Sequence, residues 1–332
     1  MNKIRASIVI VNWKTPKLLA AALRSLLADS AAAGFEIWVV DNDSGDGSVE
    51  MLRRDFPSVI TIANAENVGF GRACNQVIPQ CTGDYVILVN PDTVSGPDAV
   101  GKMVAFMDAN AQCGAVGPKV LNPDGSLQLS CRRSFPDLWA SFFRLSYLSF
   151  LFPKHPLVAR YNVTYADPDE EIEVDALSGA FMLVRKSVID KIGLLDEDIF
   201  MFGEDIDWCW RVKQAGWQVR YLPSAVVHHY HGASSRFRRI GSTINLHKGM
   251  EVFYRKHMAK NYWPVFNLLV YAAIWCRAGV FIILSYLQRF FPEKKSAGVF
   301  EDMDQMGDAQ PTLGADTRSG ADAGEVVKGR RP

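Results

Sequence analysis

The sequence predicts an α/β fold with a mostly parallel central sheet and helices on its faces. Short apolar runs rich in β-branched residues alternate with amphipathic stretches through the N-terminal third of the chain. Several of these runs stop abruptly at polar residues, such as Asn12, Asp41 and Asn90. Because the carboxyl ends of parallel strands meet at one edge of a sheet, we expect these polar groups to face a common ligand crevice.

Composition narrows the class of protein. The chain has 332 residues, 48% of them hydrophobic, which is enough for one large core or two modest ones. Its 36 basic and 36 acidic side chains balance, so no nucleic-acid partner is expected. Six cysteines without CxxC spacing argue against a zinc site or a disulfide framework and suit a reducing cytoplasm. The apolar run near the N-terminus is too short for a signal peptide, so we expect the folded core to stay in the cytoplasm.

The first part of the chain alternates strand and helix. Hydrophobic periodicity predicts buried strands at residues 6–11, 35–40, 59–63 and 85–89, and helices at 16–30, 48–56 and 68–78. Thr15 is the predicted N-cap of the first helix, because Pro16 follows it at a first helical position.

The fourth predicted strand, YVILV, is followed by the clearest candidate for a ligand-binding residue. Pro91 cannot extend a central strand, so the chain must turn directly after Asn90. Asp92 is thereby placed beyond the carboxyl end of a buried strand, where open α/β sheets bind ligands. An ordinary turn aspartate is the alternative interpretation.

A glycine-containing stretch, NVGFGRACN, opens the third predicted helix. It lacks the third glycine and the acidic residue of a dinucleotide fingerprint, and the chain has no GxxxxGK[ST] loop. Asn67, Gly69, Gly71 and Asn75 instead indicate a backbone held close to a ligand at a helix N-terminus. Arg72 is placed to reach a phosphate, with an exposed helix arginine as the alternative.

Two further stretches carry candidate site residues. A strand-like run at 177–184 has the small residues Ser178 and Gly179 near its start. Their small size lets a ligand approach the backbone, and close packing of a helix is the alternative interpretation. The helical stretch EDIDWCWRVKQ begins with Glu204 and Asp205. The helix dipole favours carboxylates in a first turn, so a capping role is the alternative to a catalytic one.

A strand predicted at 217–222 is followed by a cluster of histidines and arginines. The arginines are placed to clamp a diphosphate or to attract anionic lipid, with a solvated basic loop as the alternative. A helix is predicted at 245–257. The clustered residues are His228, His229, His231, Arg236, Arg238 and Arg239.

Two apolar segments, 138–152 and 264–291, do not resemble ordinary core. Arg277 divides the second into halves that are each too short for a bilayer of about 30 Å, and at mid-membrane it would cost about 2.5–3.5 kcal/mol. We therefore expect a helix or helical hairpin lying in the membrane interface, with a true span or a helix packed on the domain as alternatives. Composition predicts disorder from about residue 293 onward.

Six motifs occur in an order that is typical of one enzyme family. They are IVIVNW, VVDNDSGDGS, ENVGFGRACN, YVILVNPDT, LSGAFMLVRK and FGEDIDWCWR. With these motifs, spread over roughly residues 4–260, the chain resembles the family 2 glycosyltransferases, and among them bacterial rhamnosyltransferases of cell-surface polysaccharide synthesis. The resemblance implies a GT-A fold with a Rossmann-like nucleotide-binding half at about 1–120 and an acceptor half at about 121–262. A hydrophobic membrane-associated segment at 263–292 and a disordered tail at 293–332 would follow.

The resemblance also implies which residues bind the nucleotide-sugar donor. Asn12 and Asp41 would hold the base and ribose. Asp92 matches the last position of the family's DxD metal motif, but Asn90 replaces the first aspartate, so we expect metal and donor diphosphate to bind together. The full donor-binding set is Asn12, Asp41, Asp43, Asn67, Gly69, Arg72, Asn90 and Asp92.

The metal implied by the resemblance is Mg²⁺ or Mn²⁺, which neutralises the dianionic diphosphate leaving group. Asp92 is one expected ligand. Alignment of the family pattern on Gly232 and Ser234 favours His229 as a second, with His228 and His231 as alternatives.

On the acceptor side, the resemblance implies roles for Ser178, Gly179 and Trp208. A sugar hydroxyl is a poor nucleophile until a base takes its proton. The preferred base is Asp205, because the family's Glu-Asp pair usually places it on the aspartate, and Glu204 is the alternative.

The expected activity is therefore an inverting glycosyl transfer at the cytoplasmic face of the bacterial inner membrane. The expected donor is dTDP-rhamnose and the acceptor a lipid-linked saccharide of O-antigen or cell-wall synthesis. Alternatives are another donor, such as UDP-galactofuranose or a UDP-hexose, and a catalytically inactive nucleotide-sugar-binding scaffold at the membrane.

Overall fold

The computed structural model describes residues 3–230 and 239–287. The strands are β1 (Ala6–Asn12), β2 (Phe35–Asp41), β3 (Ile60–Ala63), β4 (Tyr85–Val89), β5 (Thr93–Ser95), β6 (Cys113–Leu121), β7 (Arg132–Arg133), β8 (Ile172–Glu173), β9 (Ala176–Leu177), β10 (Phe181–Arg185) and β11 (Gln218–His229). The α-helices are α1 (Pro16–Leu27), α2 (Ser48–Asp55), α3 (Phe70–Val77), α4 (Ala99–Ala109), α5 (Leu138–Leu145), α6 (Leu148–Leu151), α7 (Lys186–Ile192), α8 (Glu204–Gln214), α9 (Arg239–Phe253) and α10 (Pro264–Leu287).

Within the described residues the main sheet has nine strands, in the order β3-β2-β1-β4-β10-β6-β11-β5, with β8 beside β11. The strands β3, β2, β1 and β4 are mutually parallel, and β11 is parallel to β6. Strand β10 runs antiparallel to both of its neighbours, β4 and β6. β7 and β9 form a separate antiparallel pair. The predicted α/β class with a mostly parallel sheet is confirmed.

The four N-terminal strands and their helices lie close to where the sequence predicts them. All five residues of β4 are buried, which explains its continuous apolar run. The register of β1 and β2 places Asn12 opposite Asp41 at the carboxyl ends of both strands. Thr15 is the N-cap residue of α1 as predicted, and its carbonyl accepts from the Leu19 N–H, but its hydroxyl donates to Asn12 Oδ1 at 2.9 Å and makes no capping hydrogen bond.

The second half of the chain completes the same sheet through strands that are harder to read from sequence. β6 has the sequence CGAVGPKVL, whose two glycines and proline are unfavourable in a strand interior, and nothing in its pattern predicts it. The strand predicted at 217–222 extends much further, to His229. A register shift between Leu222 and Val226 lets β11 bulge and resume its pairing with β6. That extension carries His229 into pairing with Thr93, next to Asp92.

Helix α9 begins earlier than predicted and ends in a π-helical turn, Tyr254–Met258. The apolar segment predicted at 138–152 forms the short helices α5 and α6. Trp139 and Leu151 on these helices are 67% and 72% exposed, so this segment does not belong to the core, as expected. His231, Gly232, Ser234, Arg236, Arg238 and the tail at 293–332 lie outside the described residues, as does the side chain of Arg239.

The C-terminal apolar segment is one continuous helix, α10, so the helical-hairpin alternative is wrong for the described part. Its 24 residues measure about 36 Å at 1.5 Å per residue, and it is long and apolar enough to cross a bilayer by length and composition. Only Ile274 and Ala278 of this helix are buried. Helix α10 packs against α9, and the Tyr254 hydroxyl donates to Asn267 Oδ1 at 2.6 Å.

Candidate active site

A cavity of about 1470 Å³ opens at the carboxyl ends of the central strands. The polar part of its lining comes from the strand ends and from the start of α8. The apolar part comes from α5, α9 and α10, and we call this part the apolar arm. Asn90 and Asp92 line the cleft, as expected for polar residues at the end of β4.

Asn12 and Asp41 come together as predicted, but behind the surface of the cleft. The Asn12 amide donates to Asp41 Oδ2 at 2.8 Å and to Ser48 Oγ at 3.0 Å, and Asp41 Oδ1 accepts from the backbone N–H of Ser44 at 3.0 Å. Both side chains are buried. These bonds fix the loop after β2, and the direct contact with base and ribose that the resemblance implies stays a prediction.

Asn42 is the residue of this loop that lines the cleft, and sequence reasoning missed it. Its amide donates to Asn67 Oδ1 at 3.1 Å and to the Gly69 carbonyl at 3.2 Å, and its own oxygen accepts from the Val68 N–H at 3.2 Å. Asn42 therefore ties the end of β2 to the loop before α3. A polar residue in the turn DNDSGDGS gives no sequence signal that separates it from its neighbours.

Three predicted donor-binding residues have other surroundings than expected. Asp43 is exposed with φ of 64° and does not line the cleft. Arg72 does not line the cleft and lies 3.7 Å from Glu197, with 58% of its side chain exposed, so its role beside the nucleotide stays a prediction. Gly69 lines the cleft, but a Cβ there would lie 2.7 Å from the Phe200 carbonyl oxygen. The close approach that requires glycine is therefore to the protein chain.

Asp92 and His229 form the centre of the candidate metal site. His229 Nε2 lies 3.0 Å from Asp92 Oδ1, and Nδ1 lies 2.8 Å from Gln128 Oε1. The Gln128 amide nitrogen donates to Asn122 Oδ1, so its oxygen faces the ring and accepts from Nδ1–H. Gln128 thus directs Nε2 toward Asp92, the orientation that a metal-binding histidine needs. Sequence reasoning missed Gln128.

The residues present fit a divalent cation that binds together with a donor. Two ligands at about 2.1 Å from one ion, in adjacent octahedral positions, lie about 3 Å apart, as do Asp92 Oδ1 and His229 Nε2 at 3.0 Å. The Asn90 side chain is 3.4 Å from His229 Nε2. In the described part of the chain, no group of three or more His, Cys, Asp or Glu side chains could hold a metal ion. The donor diphosphate and water can supply the remaining ligands.

The sequence left three histidines as candidate metal ligands, and the structure separates two of them, His228 and His229. Successive residues of a strand point to opposite faces, so His228 faces away from His229 and Asp92. Burial lowers the pKa of His228. His231 lies outside the described residues.

Asp205 lies at the first turn of α8 and lines the cleft. Its Oδ2 accepts from Arg133 at 2.6 Å and from the Gly179 N–H at 3.0 Å, and its Oδ1 accepts from the Ile206 N–H at 2.8 Å. A carboxylate offers about four lone-pair sites, so one site on Oδ1 remains for a substrate hydroxyl. Gly179 and Ser178 also line the cleft. Sequence reasoning missed Arg133, since nothing in CRRSFP distinguishes it.

Glu204 has a different environment from its neighbour. The side chain lines the cleft but is only 7% exposed, and its Oε2 has no hydrogen-bond partner among the described residues. Burial and the negative charge of Asp205 raise the pKa of Glu204 to about 8. Near neutral pH this side chain is therefore a neutral acid that can donate a hydrogen bond into the cleft.

The acceptor-side role predicted for Trp208 is wrong. Its side chain is fully buried, and its Nε1–H donates to the Gly193 carbonyl at 3.0 Å. On α8, Trp208 and Val212 are four residues apart and share the face that packs on the sheet. That spacing is the sequence signal by which a core position could have been recognised.

Comparisons with known proteins show which family and fold the chain resembles. A family model described as "Glycosyltransferase like family 2" matches residues 5–243. The chain is 31% identical over 238 residues to a Mycobacterium tuberculosis protein described as N-acetylglucosaminyl-diphospho-decaprenol L-rhamnosyltransferase. The match covers 68% of this chain and 76% of that protein.

Two solved structures share the fold. One is mannosyltransferase PcManGT from Pyrobaculum calidifontis in complex with GDP-Man and Mn²⁺, with a TM-score of 0.54 and 15% identity over 92% of this chain and 80% of that one. The other is GalNAc-T7 with UDP, GalNAc and Mn²⁺, with a TM-score of 0.51 and 15% identity over 69% of this chain and 44% of that one. At this identity the likeness shows the fold alone, and it confirms the GT-A type.

Proposed function

This chain belongs to the family 2 glycosyltransferases, and on that premise we propose that it transfers L-rhamnose from dTDP-rhamnose to a lipid-linked saccharide with inversion at the anomeric carbon. The observation that carries the proposal is that one cleft contains the Asp92–His229 pair and Asp205. An inverting transfer needs those two functions in one cavity, one for the leaving diphosphate and one for the attacking hydroxyl.

The transferred rhamnose and the diphospho-lipid acceptor are supported by the mycobacterial relative, whose name states the sugar and the acceptor. The identity of 31% extends over most of this chain. We take the acceptor to be a saccharide carried on a polyprenyl diphosphate, used in synthesis of O-antigen or cell-wall polysaccharide. Such lipids are in the bilayer, so we propose that the enzyme works at the cytoplasmic face of the bacterial inner membrane.

Asp205 is the proposed base. One lone pair of Oδ1 accepts the proton of the acceptor hydroxyl while that oxygen bonds to the anomeric carbon and the bond to the diphosphate breaks. Arg133 and the Gly179 N–H hold Oδ2, so the carboxylate keeps its orientation during the transfer. Glu204, protonated near neutral pH, donates a hydrogen bond to a sugar oxygen.

Asp92 and His229 are the proposed protein ligands of a divalent cation, with Asn90 beside them. Bound Mg²⁺ or Mn²⁺ supplies Lewis-acid neutralisation of the leaving nucleoside diphosphate. Asn42 and Asn67 face the cleft beside this site and are available to the nucleotide. Asp41 holds the loop after β2 in place through its hydrogen bonds with Asn12 and Ser44.

A screen of donors with and without Mn²⁺ tests the proposal. A ligand that binds only the native state raises its free energy of unfolding, by about 2.7 kcal/mol at 100-fold excess over Kd. We expect dTDP-rhamnose with Mn²⁺ to raise the melting temperature and to be turned over. Asp92→Ala should abolish the metal-dependent part of the shift, and unchanged donor affinity in Mn²⁺ would count against the assigned site.

A different donor is the second candidate, because the two structural neighbours are complexes with UDP and with GDP-Man. A larger shift and faster turnover with UDP-galactofuranose or a UDP-hexose would replace dTDP-rhamnose in the proposal. A melting shift with no turnover of any donor would indicate an inactive nucleotide-sugar-binding scaffold.

A further inference from the structure

We propose that Arg144 and Arg277 form a subsite for the diphosphate group of the lipid-linked acceptor, in the apolar arm of the cleft. The inference rests on the proposed function, since it takes a saccharide on a diphospho-lipid as the acceptor. It adds the residues that recognise the part of the acceptor between sugar and lipid.

The two arginines come from elements far apart in the chain, α5 and α10, and both line the cleft. Each guanidinium lies over an aromatic ring: Arg144 is 4.7 Å from the ring centroid of Phe150, and Arg277 is 4.6 Å from that of Phe281. The two positive charges are close enough to repel each other. Like charges held together in an apolar cleft are unfavourable unless an anion binds between them.

The protein partner of Arg277 does not neutralise it. Arg277 Nη1 lies 2.8 Å from His247 Nε2, and His247 Nδ1 lies 2.7 Å from the Thr243 carbonyl oxygen. A carbonyl only accepts, so Nδ1 carries the proton and Nε2 accepts from the guanidinium. His247 is buried, and its burial and the nearby Arg277 charge lower its pKa. Arg277 is therefore oriented by a neutral imidazole and keeps its full charge.

Other buried or half-buried arginines donate to oxygen acceptors, which are backbone carbonyls for Arg132 and Arg185 and carboxylates for two more. Arg133 pairs with Asp205 at 2.6 Å, and Arg211 pairs with Asp207 at 2.6 Å. Over residues 3–230 and 239–287, Arg144 and Arg277 make ring and imidazole contacts instead. The charge of these two arginines is thus available to a ligand, and planar guanidinium groups suit the oxygens of a diphosphate.

The acceptor's diphosphate fits this position better than the donor's. The donor diphosphate has its own site at Asp92 and His229. The acceptor has three parts, a sugar, a diphosphate and a hydrocarbon chain, and the cleft offers a partner for each. Asp205 meets the sugar hydroxyl, the two arginines meet the diphosphate, and exposed apolar side chains of the same arm meet the hydrocarbon chain. These include Phe142, Leu145, Phe150 and Val280, which line the cleft.

Binding of farnesyl diphosphate to the full-length protein, without donor, tests the subsite whichever sugar is transferred. We expect Arg144→Gln and Arg277→Gln each to weaken binding about 10–100-fold, the range for losing charge-assisted hydrogen bonds. Farnesol, which lacks the diphosphate, should bind wild type and variants equally. Lys154→Gln is the matched control, because Lys154 is exposed near the same apolar surface but does not line the cleft.

Transfer kinetics test whether the anion bound by the two arginines is the acceptor diphosphate or another anion. With dTDP-rhamnose, kcat/KM for a diphospho-lipid-linked N-acetylglucosamine should fall about 10–100-fold in the variants. The rate with a neutral alkyl glycoside of the same sugar, and the KM for the donor, should not change. Arg144→Gln keeps the test valid if Arg277→Gln lowers stability, because within residues 3–230 and 239–287 the Arg144 side chain contacts the Phe150 ring and forms no ion pair.

Three results would overturn the inference. One is unchanged farnesyl diphosphate binding in both variants. Another is a raised donor KM, which would place the arginines at the donor. The third is weaker binding to vesicles of anionic phospholipid with an unchanged KM for the diphospho-lipid acceptor, which would make them headgroup contacts. A wild type that binds farnesyl diphosphate but transfers no rhamnose would contradict the proposed function and leave the subsite supported.

Discussion

At the scale of single residues, the adjacent carboxyl groups Glu204 and Asp205 differ in their partners. Asp205 accepts hydrogen bonds from Arg133, Gly179 and Ile206, whereas Glu204 Oε2 is buried without a partner among the described residues. Asp205, held by three donors, offers an acceptor site, and the protonated Glu204 beside it offers a donor in the same cleft. The different environments of the two carboxyl groups assign different chemical roles to them.

Asp205→Asn should keep donor binding and lose transfer. The amide has nearly the same shape but cannot take the proton of the acceptor hydroxyl, so single-turnover transfer should fall by about 10²–10⁴-fold. Glu204→Gln, which resembles the protonated wild-type side chain, should lose much less at pH 7. If Glu204→Gln is the inactive variant and Asp205→Asn the active one, the assignment of base and donor is reversed.

Glu204 should also set the alkaline limit of activity. The neutral acid is present below its pKa of about 8 and is lost as the pH rises through that value. Wild-type kcat/KM should therefore decline above about pH 8, and Glu204→Gln should lack this decline because it does not titrate. The measurement is a pH profile of both proteins from pH 6 to 9.5 with the same buffers. Superimposable profiles would exclude Glu204 as the titrating group.

Gln128 is a positioning residue for the metal site, since it touches His229 and not the proposed metal. Gln128→Leu removes the acceptor for Nδ1–H, so the ring loses its fixed orientation. Loss of such an outer partner typically weakens metal affinity about 10–100-fold. Titration of Mn²⁺ in the presence of donor should show this change, while Gln128→Glu, which keeps an acceptor oxygen, should restore binding. Equal affinity in all three proteins would remove Gln128 from the site.

At the scale of elements, α8 is attached to the π-helical turn by a buried ionic network. Asp207 accepts from Arg211 at 2.6 Å and lies 2.6 Å from His257 Nε2. Burial by itself would raise the pKa of Asp207, but the His257 hydrogen bond and the Arg211 charge outweigh it and lower the pKa. The network holds the helix that carries Glu204 and Asp205 against the end of α9.

The sign of this shift predicts acid sensitivity. A depressed carboxyl pKa contributes stability above the ordinary value of 3.8 that is lost as the pH falls through the folded-state pKa. Asp207→Asn should lower the free energy of unfolding at pH 7 by roughly 3–5 kcal/mol, because it leaves Arg211 and the His257 ring without their buried carboxylate partner, and should lose less than wild type on acidification. Urea unfolding at pH 7 and pH 3 measures both effects.

Asp190→Asn is the matched control for the Asp207 variant. Asp190 pairs with Lys186 at the same i,i+4 spacing but is 59% exposed, so its loss should cost no more than about 0.5 kcal/mol. A similar small cost for both variants would show that the buried network does not stabilise α8.

At the scale of the whole molecule, α10 joins the catalytic part to a broad apolar surface. Deleting residues from Pro264 onward removes Asn267 and the apolar contacts of Val270 and Tyr271 with the cluster around Phe253. Such a truncation would therefore expose part of the folded protein, and loss of folding would not identify a membrane role. Substitutions on the outward face of α10 can separate loss of membrane binding from loss of folding.

A triple variant, Val265→Ser with Leu268→Ser and Leu269→Ser, should release the protein from vesicles without unfolding it. These side chains are 73%, 67% and 62% exposed. Burying each in a bilayer contributes about 1.5–3 kcal/mol, so partitioning should fall at least ~100-fold. Hydrolysis of the donor in solution should persist.

Ile274→Ser is the contrasting variant, because Ile274 faces the protein and is 8% exposed. It should lower the melting temperature more than it lowers vesicle binding. Undiminished vesicle binding by a folded triple variant would exclude this face of α10 as the membrane contact.

Sequence by itself determined the alternation of strands and helices, the family, and the residues placed at the ends of β1, β2 and β4. These features are local, because strand period, turn residues and short motifs are written in consecutive residues. The same local information placed Glu204 and Asp205 together at the start of α8. It also gave misleading assignments, such as Trp208, which a motif position placed at the acceptor although its apolar spacing with Val212 is that of a core residue.

Only the tertiary structure decided how these residues are supported and what else lies beside them. Gln128, Arg133 and Asn42 act through contacts with partners 101, 72 and 25 residues away in the chain, which no local pattern specifies. The bulge in β11 determines that His229 reaches Asp92, and the packing of α10 on α9 brings Arg277 into the same cleft as Arg144. The physical reason is that pKa values, charge pairing and metal geometry depend on distances of a few ångströms between segments, and folding sets those distances.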